Sequence, residues 1–228
     1  MVAGGVEAPL APLTFGAFDI IRALTSNFNE EPEQASRPFD AMRDGFVMSE
    51  GAAVLVLEEW EYAVARGAEI YAEVLGYANT TDAFHMTAPK GDGVQSSRAM
   101  REAMLEARVE PHEIEFISAH ASSTPLNDKT ETMAIKMALG EHAYRVPMSG
   151  TKSMHGHALG ATGAWELAIS CLAIKNEWLP PTLNLVNPDP ECDLDYIPHV
   201  GRTQRVNLLM SNSFGFGGIN ACVVLGRA

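Results

Sequence analysis

Short apolar strands alternate with helical segments along most of this chain. The periodicity predicts three strands and three helices in alternation, over 70–78, 94–109, 114–119, 127–139, 146–149 and 158–176. The last unit, residues 206–225, is predicted to be a strand, a glycine-rich loop and a second strand. Strands that alternate with helices favour α/β layering, and a closing strand pair favours a mixed sheet. We therefore predict an α/β fold in which a mixed sheet is layered with helices.

The first 58 residues have a different pattern. An apolar tripeptide runs directly into Gly4 and Gly5 without a polar lead-in, as in a chain that is entered within a domain. Apolar residues at three-residue steps over 14–24 predict a helix, and a polar loop follows it. Residues 46–58 are rich in β-forming residues, and a short helix that ends at Gly67 comes next.

Charge excludes some classes of partner. The chain carries 16 Lys and Arg against 29 Asp and Glu, for a formal net charge of −13. This balance disfavours nucleic acid or an anionic membrane surface as a partner. No apolar stretch approaches the roughly 20 residues of a spanning helix, and the first residues lack the basic and then apolar regions of a secretory signal. Three widely spaced cysteines fit a reducing compartment, so we expect the cytoplasm, or an organelle that the sequence does not distinguish from it.

Three segments concentrate polar groups at predicted strand ends: HASSTPLND at 120–128, KSMHGHALGATG at 152–163 and NSFGFGGIN at 212–220. His120 ends an apolar strand, so its imidazole can project from a sheet edge into a cleft. A single histidine at a strand end is more often structural, and spacing alone leaves both interpretations open.

The pair His155 and His157 raises the question of a metal, because imidazoles are common zinc ligands. Alternate residues on an irregular loop need not converge, and no Cys, Asp or third His follows at ligand spacing. We therefore predict no metal site. The start of a helix behind His157 disfavours an added positive charge there, so a neutral imidazole is expected.

Together with DAFHMTAP at 82–89 and RDGFVMSEGA at 43–52, these segments resemble the condensing enzymes of fatty-acid and polyketide synthesis, which have the thiolase fold. The resemblance extends over essentially all 228 residues, and DAFHMTAP is closest to the elongating synthase II type. It implies a β-ketoacyl-[acyl-carrier-protein] synthase. On this basis residues 1–58 are the end of an N-terminal thiolase-like half, and residues 59–228 are the C-terminal half.

The resemblance also assigns site residues. Catalytic roles fall on His120, His157, Lys152, Glu166 and Phe216. In the family the two histidines hold a malonyl thioester carbonyl, and the amide at Phe216 contributes to an oxyanion hole while its ring gates the acyl pocket. The substrate-binding residues implied are Ser122, Thr124, Thr87, Phe18 and Arg22. The family's usual Gly-Thr after the histidine is Ala121-Ser122 here.

The implied reaction is decarboxylative condensation of malonyl-[acyl-carrier-protein] with a cysteine-bound acyl chain. No cofactor of the chain itself is expected, because 4′-phosphopantetheine arrives on the partner acyl carrier protein, and the intact enzyme is expected to be a homodimer. The family's nucleophilic cysteine lies upstream of the segment that resembles MVAGG. We assign Cys171, Cys192 and Cys222 to structural roles, so we expect no condensation by this chain alone and only trace decarboxylation.

Two hypotheses remain. The chain is either a fragment of a whole synthase, or a non-autonomous partner subunit of a split or polyketide-type ketosynthase. A chain-length factor is disfavoured because His120, Lys152 and His157 are all present, and a thiolase is disfavoured by the loop NSFGFGGIN. In either case we expect apolar faces left exposed in isolation.

Overall fold

The computed structural model describes residues 1–228. It contains six α-helices: α1 Pro12–Ile20, α2 Trp60–Ala65, α3 Val94–Ala107, α4 Pro125–Leu139, α5 Lys152–His155 and α6 Thr162–Asn176. Its nine strands are β1 Val2–Glu7, β2 Gly51–Val56, β3 Glu73–Thr81, β4 Phe116–Ser118, β5 Met148–Ser149, β6 Trp178–Leu179, β7 Arg202–Thr203, β8 Leu208–Gly215 and β9 Ile219–Gly226.

Five of the strands form one central sheet in the order β3-β9-β8-β4-β5. Strand β4 runs parallel to both β5 and β8, whereas β9 is antiparallel to β3 and β8. The sheet is therefore mixed, which confirms the fold class predicted from the alternation of strands and helices. The two remaining strand pairs, β1-β2 and β6-β7, are antiparallel.

Both faces of the sheet are covered at β4, β8 and β9, which explains apolar runs such as 208–210 and 222–225, whereas the edge strand β3 alternates between buried and exposed residues. One face packs under α3 and α4 in a cluster of 23 buried residues that includes Ile117, Met210 and Val224. The opposite face packs against α6 and includes the sequence neighbours Phe116, Leu209 and Leu225. Adjacent residues of a strand thus enter opposite layers, as the pleat requires.

The N-terminal part is packed differently. In the β1-β2 pair, Val2 lies opposite Val56. These two side chains, with Val6 and Val54, point to one face and are each at least 66% exposed. No residue of α1 is buried. The helix predicted over 14–24 is thus present but ends at Ile20, and the last part of the apolar stripe lies beyond it. The stripe is not a core face, and the expected exposed apolar surface lies here.

Several predicted boundaries differ from the structure. The helix predicted over 158–176 is a 3-10 turn at Leu159–Ala161 followed by α6. The short helix α5 was not predicted, and the strand predicted over 146–149 has only two residues. Small residues and glycines around 156–163 permit this local geometry without a periodic signal. The domain boundary between 58 and 59 stays a prediction.

The longest helices, α4 and α6, have 15 residues each, and no helix combines the length and apolar character needed to cross a membrane.

Candidate functional site

One cleft of about 600 Å³ gathers residues that are far apart in the sequence. Its walls come from the end of β4, the start of α4, the loop before α6, the β8-β9 turn, the loop that follows β3 and the segment around α1. Eight of the ten residues singled out from the sequence line it: Phe18, Arg22, Thr87, His120, Ser122, Thr124, His157 and Phe216. The other two, Lys152 and Glu166, form a buried pair outside the cleft lining. The structure thus brings together the predicted residues, and their individual roles stay predictions.

His120 lies just beyond the carboxyl end of β4 and is held through its backbone. Its N–H donates to Oε1 of Glu131 at 2.8 Å, and its carbonyl accepts from Nζ of Lys152 at 2.5 Å. The ring nitrogen Nδ1 is buried and has no partner. Burial first, and then the charge of Lys152, lower the pKa of His120 well below 6.5. The imidazole is therefore neutral, and nothing in the chain selects its tautomer.

His157 is held by a segment from the N-terminal part of the chain. Its N–H donates to the carbonyl of Val47 at 2.7 Å, and its carbonyl accepts from the N–H of Ser49 at 3.1 Å. Nδ1 accepts from the N–H of Leu159 at 3.2 Å and lies 3.0 Å from the Thr162 hydroxyl. An acceptor Nδ1 places the proton of the neutral ring on Nε2.

The pKa of His157 is lowered well below 6.5, and the largest cause is burial, followed by Lys152. A neutral His157 was expected from the sequence, but the expected cause was the helix start. The structure instead places the 3-10 turn between His157 and α6, so desolvation is the main physical reason.

The two imidazoles face each other across the cleft. Their ring centroids are 5.3 Å apart and their planes are inclined at 78°. Phe46 packs edge-on against His157 at 5.2 Å, and Phe214 packs against His120 at 5.7 Å. These aromatic neighbours restrict both rings and keep water away from them. Two neutral N–H groups held in this way can both donate to one oxygen atom on which negative charge develops.

Lys152 and Glu166 form a hydrogen-bonded ion pair and are both almost completely buried. The pair does not set the tautomer of either histidine. Nζ of Lys152 reaches the His120 carbonyl and not an imidazole nitrogen. Burial raises the pKa of Glu166 to about 7 against the opposing effect of Lys152. The pair therefore positions the His120 backbone and keeps a positive charge near both rings.

Glu131 in α4 is a site residue that the sequence analysis missed. Its carboxylate accepts from the N–H groups of His120 and Ala121, both at 2.8 Å, and from Nδ2 of Asn212 at 3.3 Å. Burial raises its pKa to about 7. The available signal was the spacing of Asp128 and Glu131, which places two carboxylates on one face of a helix that starts beside His120.

The turn after His120 carries the predicted arm-binding hydroxyls. Oγ of Ser122 lies 2.9 Å from Oγ1 of Thr124, and the Thr124 hydroxyl accepts from the N–H of Asn127 as the N-cap of α4. Ala121, where the family usually has glycine, has a φ of +44°. This left-handed angle is the physical reason for a glycine at that position, and alanine adopts it here at an energetic cost.

Aromatic and polar residues form the rim of the cleft. Phe216 is 46% exposed and lies 5.9 Å from Phe18 between ring centroids. Its amide follows β8 directly and donates to no acceptor in the chain. The N–H of Thr87 donates to Nδ1 of His85 at 3.1 Å, and Arg22 is exposed. Phe46, which packs between Phe18 and His157, was also missed from the sequence.

His155, the first histidine of the His-X-His pair, does not line the cleft. Both ring nitrogens of His155 are near oxygen atoms, the Gly156 carbonyl at 2.8 Å and the Thr151 hydroxyl at 3.1 Å. The ring packs edge-on against Trp165 at 5.2 Å. Burial lowers the pKa of His155 to about 4, so it is neutral at physiological pH.

All three cysteines have raised thiol pKa values, and burial is the largest cause for each. The pKa of Cys192 is raised to about 11, so its thiol is protonated at neutral pH. Asp128 and Asp189 raise this pKa further, but by less than burial does. None of the three lines the cleft.

Comparison with known proteins gives a consistent set of similarities. The family model described as the β-ketoacyl synthase C-terminal domain matches residues 71–186, and that of the N-terminal domain matches residues 1–63. The chain is 53% identical over 96% of its length to the 3-oxoacyl-[acyl-carrier-protein] synthase 2 of Synechocystis, and 51% identical over its whole length to the granaticin polyketide putative β-ketoacyl synthase 1 of Streptomyces violaceoruber.

Among solved structures, the chain superposes with a TM-score of 0.98 and 44% identity on a chain of a type II polyketide synthase complex. That complex is described as the acyl-carrier protein with its ketosynthase bound to the hexaketide. The superposition covers all of this chain and 56% of the chain in that complex. The sequence matches cover 53% of the Synechocystis protein and 54% of the granaticin protein. The chain thus spans about half the length of the proteins it matches.

Proposed function

The chain belongs to the β-ketoacyl synthase family, and from this membership we propose that it provides the malonyl-decarboxylating part of a 3-oxoacyl-[acyl-carrier-protein] synthase of fatty-acid synthesis. The observation that carries the proposal is that the neutral imidazoles of His120 and His157 line one cleft, with their ring centroids 5.3 Å apart. In the proposed reaction the thioester oxygen of malonyl-[acyl-carrier-protein] accepts hydrogen bonds from both His120 and His157.

The chemistry follows from where charge develops. As the carboxylate leaves as carbon dioxide, the electron pair of the breaking C–C bond moves towards the thioester carbonyl, and an enolate forms. Two preorganised donors at its oxygen contribute about 3 to 4 kcal/mol each to the stability of the transition state. A neutral ring with its proton on Nε2, as at His157, is in the state that this step requires. The enolate carbon then attacks the carbonyl of an acyl thioester, and as the new C–C bond forms the C–S bond breaks and the thiolate leaves.

The acyl thioester needs a nucleophilic cysteine. We propose that it is not one of the three in this chain, because burial raises the pKa of Cys171, Cys192 and Cys222. The Phe216 amide, which donates to no acceptor in the chain, would supply one of the donors to the oxyanion of the condensation step. The Phe216 ring, next to Phe18, would gate the acyl pocket.

The proposed partner is an acyl carrier protein whose 4′-phosphopantetheine arm enters the cleft. The hydroxyls of Ser122, Thr124 and Thr87 would donate to the amides of the arm, and Arg22 at the rim would contact the acidic carrier. No cofactor bound to the chain itself is needed for these steps. The intact enzyme is proposed to be a homodimer. The alternative is a non-autonomous subunit of a polyketide-type ketosynthase, which the similarity to the granaticin protein favours.

A chimera tests the proposal. This chain is fused behind the part of the Synechocystis synthase that precedes the matched region, and the fusion is assayed with [1,3-¹³C]malonyl-[acyl-carrier-protein] and an acyl-[acyl-carrier-protein]. We expect ¹³C-labelled carbon dioxide and a 3-oxoacyl product. A chimera that folds and binds the malonyl carrier protein but releases no carbon dioxide would overturn the proposal. Repeated condensation without intervening reduction, starting from malonyl units alone, would favour the polyketide alternative.

A further inference from the structure

The turn between His120 and α4 is strained. Ala121 has a φ of +44° and Ser123 a φ of +67°, and neither residue is glycine. Non-glycine residues in the left-handed region are strained and persist only where the surroundings impose the conformation. Ser122, between them, is one of the hydroxyl residues of the cleft. The chain must therefore contain groups that hold this turn.

Part of the holding force comes from buried carboxylates. Glu131 accepts the N–H of Ala121, and Asp128 accepts the N–H of Ser123 at 3.2 Å. The hydroxyl of Ser123 accepts the N–H of Arg37 at 2.9 Å. These contacts engage the N–H groups of the two strained residues, but they do not engage the carbonyl groups at the end of the turn.

Arg43 engages those carbonyl groups. Its Nε donates to the Thr124 carbonyl at 3.2 Å, and Nη2 donates to the Pro125 carbonyl at 3.2 Å. Nη1 donates to Oδ2 of Asp189 at 2.7 Å, and Nε lies 3.6 Å from Asp128. The Arg43 side chain is only 3% exposed, and it does not line the cleft. One guanidinium thus connects the turn to α4 and to the loop that contains Asp189.

We propose that Arg43 is a positioning residue, which holds the strained turn Ala121–Thr124 in the conformation that presents the Ser122 and Thr124 hydroxyls to the thioester arm. The inference rests on the proposed function, because the arm is the ligand that these hydroxyls would bind. A planar fork of donors is needed to reach two successive carbonyls and a carboxylate at once, and lysine has no such fork.

The test compares Arg43→Lys with Arg37→Lys in the 228-residue chain. Arg37 is an equally buried arginine, but its guanidinium contacts Asp40 and the Gln34 carbonyl and lies over the Phe28 ring, away from the turn carbonyls. Its contact with the turn is made by the backbone N–H, which donates to Ser123 and is kept in Arg37→Lys. The probe is the amide analogue of malonyl pantetheine, whose Kd is measured by NMR titration. We expect Arg43→Lys to raise this Kd about tenfold, the equivalent of one charge-assisted hydrogen bond, and Arg37→Lys to leave it nearly unchanged.

A rescue variant separates positioning from general destabilisation. Ala121→Gly removes the strain at φ +44°, so the double variant Arg43→Lys/Ala121→Gly should recover most of the lost affinity. Asp189→Asn is the substitute test if Arg43→Lys does not fold. Asp189 is the partner of Arg43 and its side chain is 17% exposed, so this variant should keep the fold and raise the Kd about threefold. Equal Kd values for Arg43→Lys and Arg37→Lys would overturn the proposal. If Arg43→Lys does not fold, equal Kd values for wild type and Asp189→Asn would overturn it. So would a double variant as weak as Arg43→Lys.

Failure of the proposed function has a different signature. If the wild-type chain does not bind the probe at all, the hydroxyls do not take the arm, and the functional proposal is wrong. Hydrogen exchange of the backbone N–H groups of residues 121–124, 126 and 127 then decides whether Arg43 holds the turn. Faster exchange there in Arg43→Lys, reversed by Ala121→Gly, supports the holding role, and unchanged exchange contradicts it.

Discussion

His120 and His157 face the same cleft, but different parts of the molecule hold them. His120 is held by buried charges, with Glu131 on its N–H and Lys152 on its carbonyl. His157 is held by neutral backbone groups of Val47 and Ser49 and by a peptide N–H on its ring. The comparison shows that charge fixes the backbone of one histidine and leaves its tautomer open, whereas neutral hydrogen bonds select the tautomer of the other.

Removing a buried charge should give the largest effect. Lys152→Met leaves Glu166 buried without its cation, so the free energy of unfolding should fall by about 3 to 5 kcal/mol. Urea unfolding measures the change. Lys175→Met is the matched control because the pair of Lys175 with Glu69 is exposed, and no measurable change is expected there. Similar losses in both variants would show that the charges around His120 do not hold the fold.

The second prediction removes each ring. His120→Ala and His157→Ala should each lower the rate of malonyl-thioester decarboxylation by the chimeric synthase by about 10²- to 10³-fold, because each removes one donor to the developing oxyanion. His155→Ala should retain nearly the wild-type rate, since its ring points away towards Thr151 and Trp165. A large effect for only one of His120→Ala and His157→Ala would contradict the proposal that both rings donate to the thioester oxygen.

The third prediction uses pH, because only the His120 side contains a buried acid that touches the histidine backbone. Burial raises the pKa of Glu131 from 4.5 to about 7. The folded state therefore binds a proton that the unfolded state has lost, and the contribution of Glu131 to stability is present below pH 4.5 and is lost as the pH rises to about 7.

Replacing Glu131 should remove that dependence. Between pH 4.5 and 7, the free energy of unfolding of Glu131→Gln should fall with pH less steeply than that of wild type, by up to about 1.4 kcal/mol per pH unit. Urea unfolding at a series of pH values measures both curves. The absolute stability also falls, because the amide accepts only one of the two backbone N–H groups. Thr162→Val, on the His157 side, should leave the slope as in wild type. A Glu131→Gln curve parallel to wild type would contradict the assignment.

The smallest effect is expected at the His157 ring. Thr162→Val removes the hydroxyl 3.0 Å from Nδ1, but the Leu159 N–H remains, so the tautomer is kept and decarboxylation should slow only about threefold. Ser170→Ala is the control, since this buried hydroxyl of the same helix has no partner. A loss of a hundredfold in Thr162→Val would mean that the hydroxyl, and not the peptide N–H, sets the tautomer.

Much of the fold and of the site was predictable from the sequence. Apolar runs and helical patterns predicted the strands and helices of the central sheet because both faces of β4, β8 and β9 exclude water, so each layer leaves an apolar signal. The motifs around His120, His157 and Phe216 also indicated one site, because their residues follow strand ends or glycine turns where polar groups meet. Predictions were weakest at 152–163, where glycines and small residues make the backbone path a matter of local contacts.

The sequence by itself determined the fold class, the family and eight of the residues that line the cleft, since these follow from local periodicity and from motifs that are continuous in the chain. Only the tertiary structure decided how the histidines are held. The contacts of His120 with Glu131, of Lys152 with the His120 carbonyl and of Val47 with His157 join residues that are 11, 32 and about 110 positions apart. Burial, which sets the pKa values of these groups, is likewise a property of the packed molecule, because desolvation depends on every neighbouring atom and not on the residue's place in the chain.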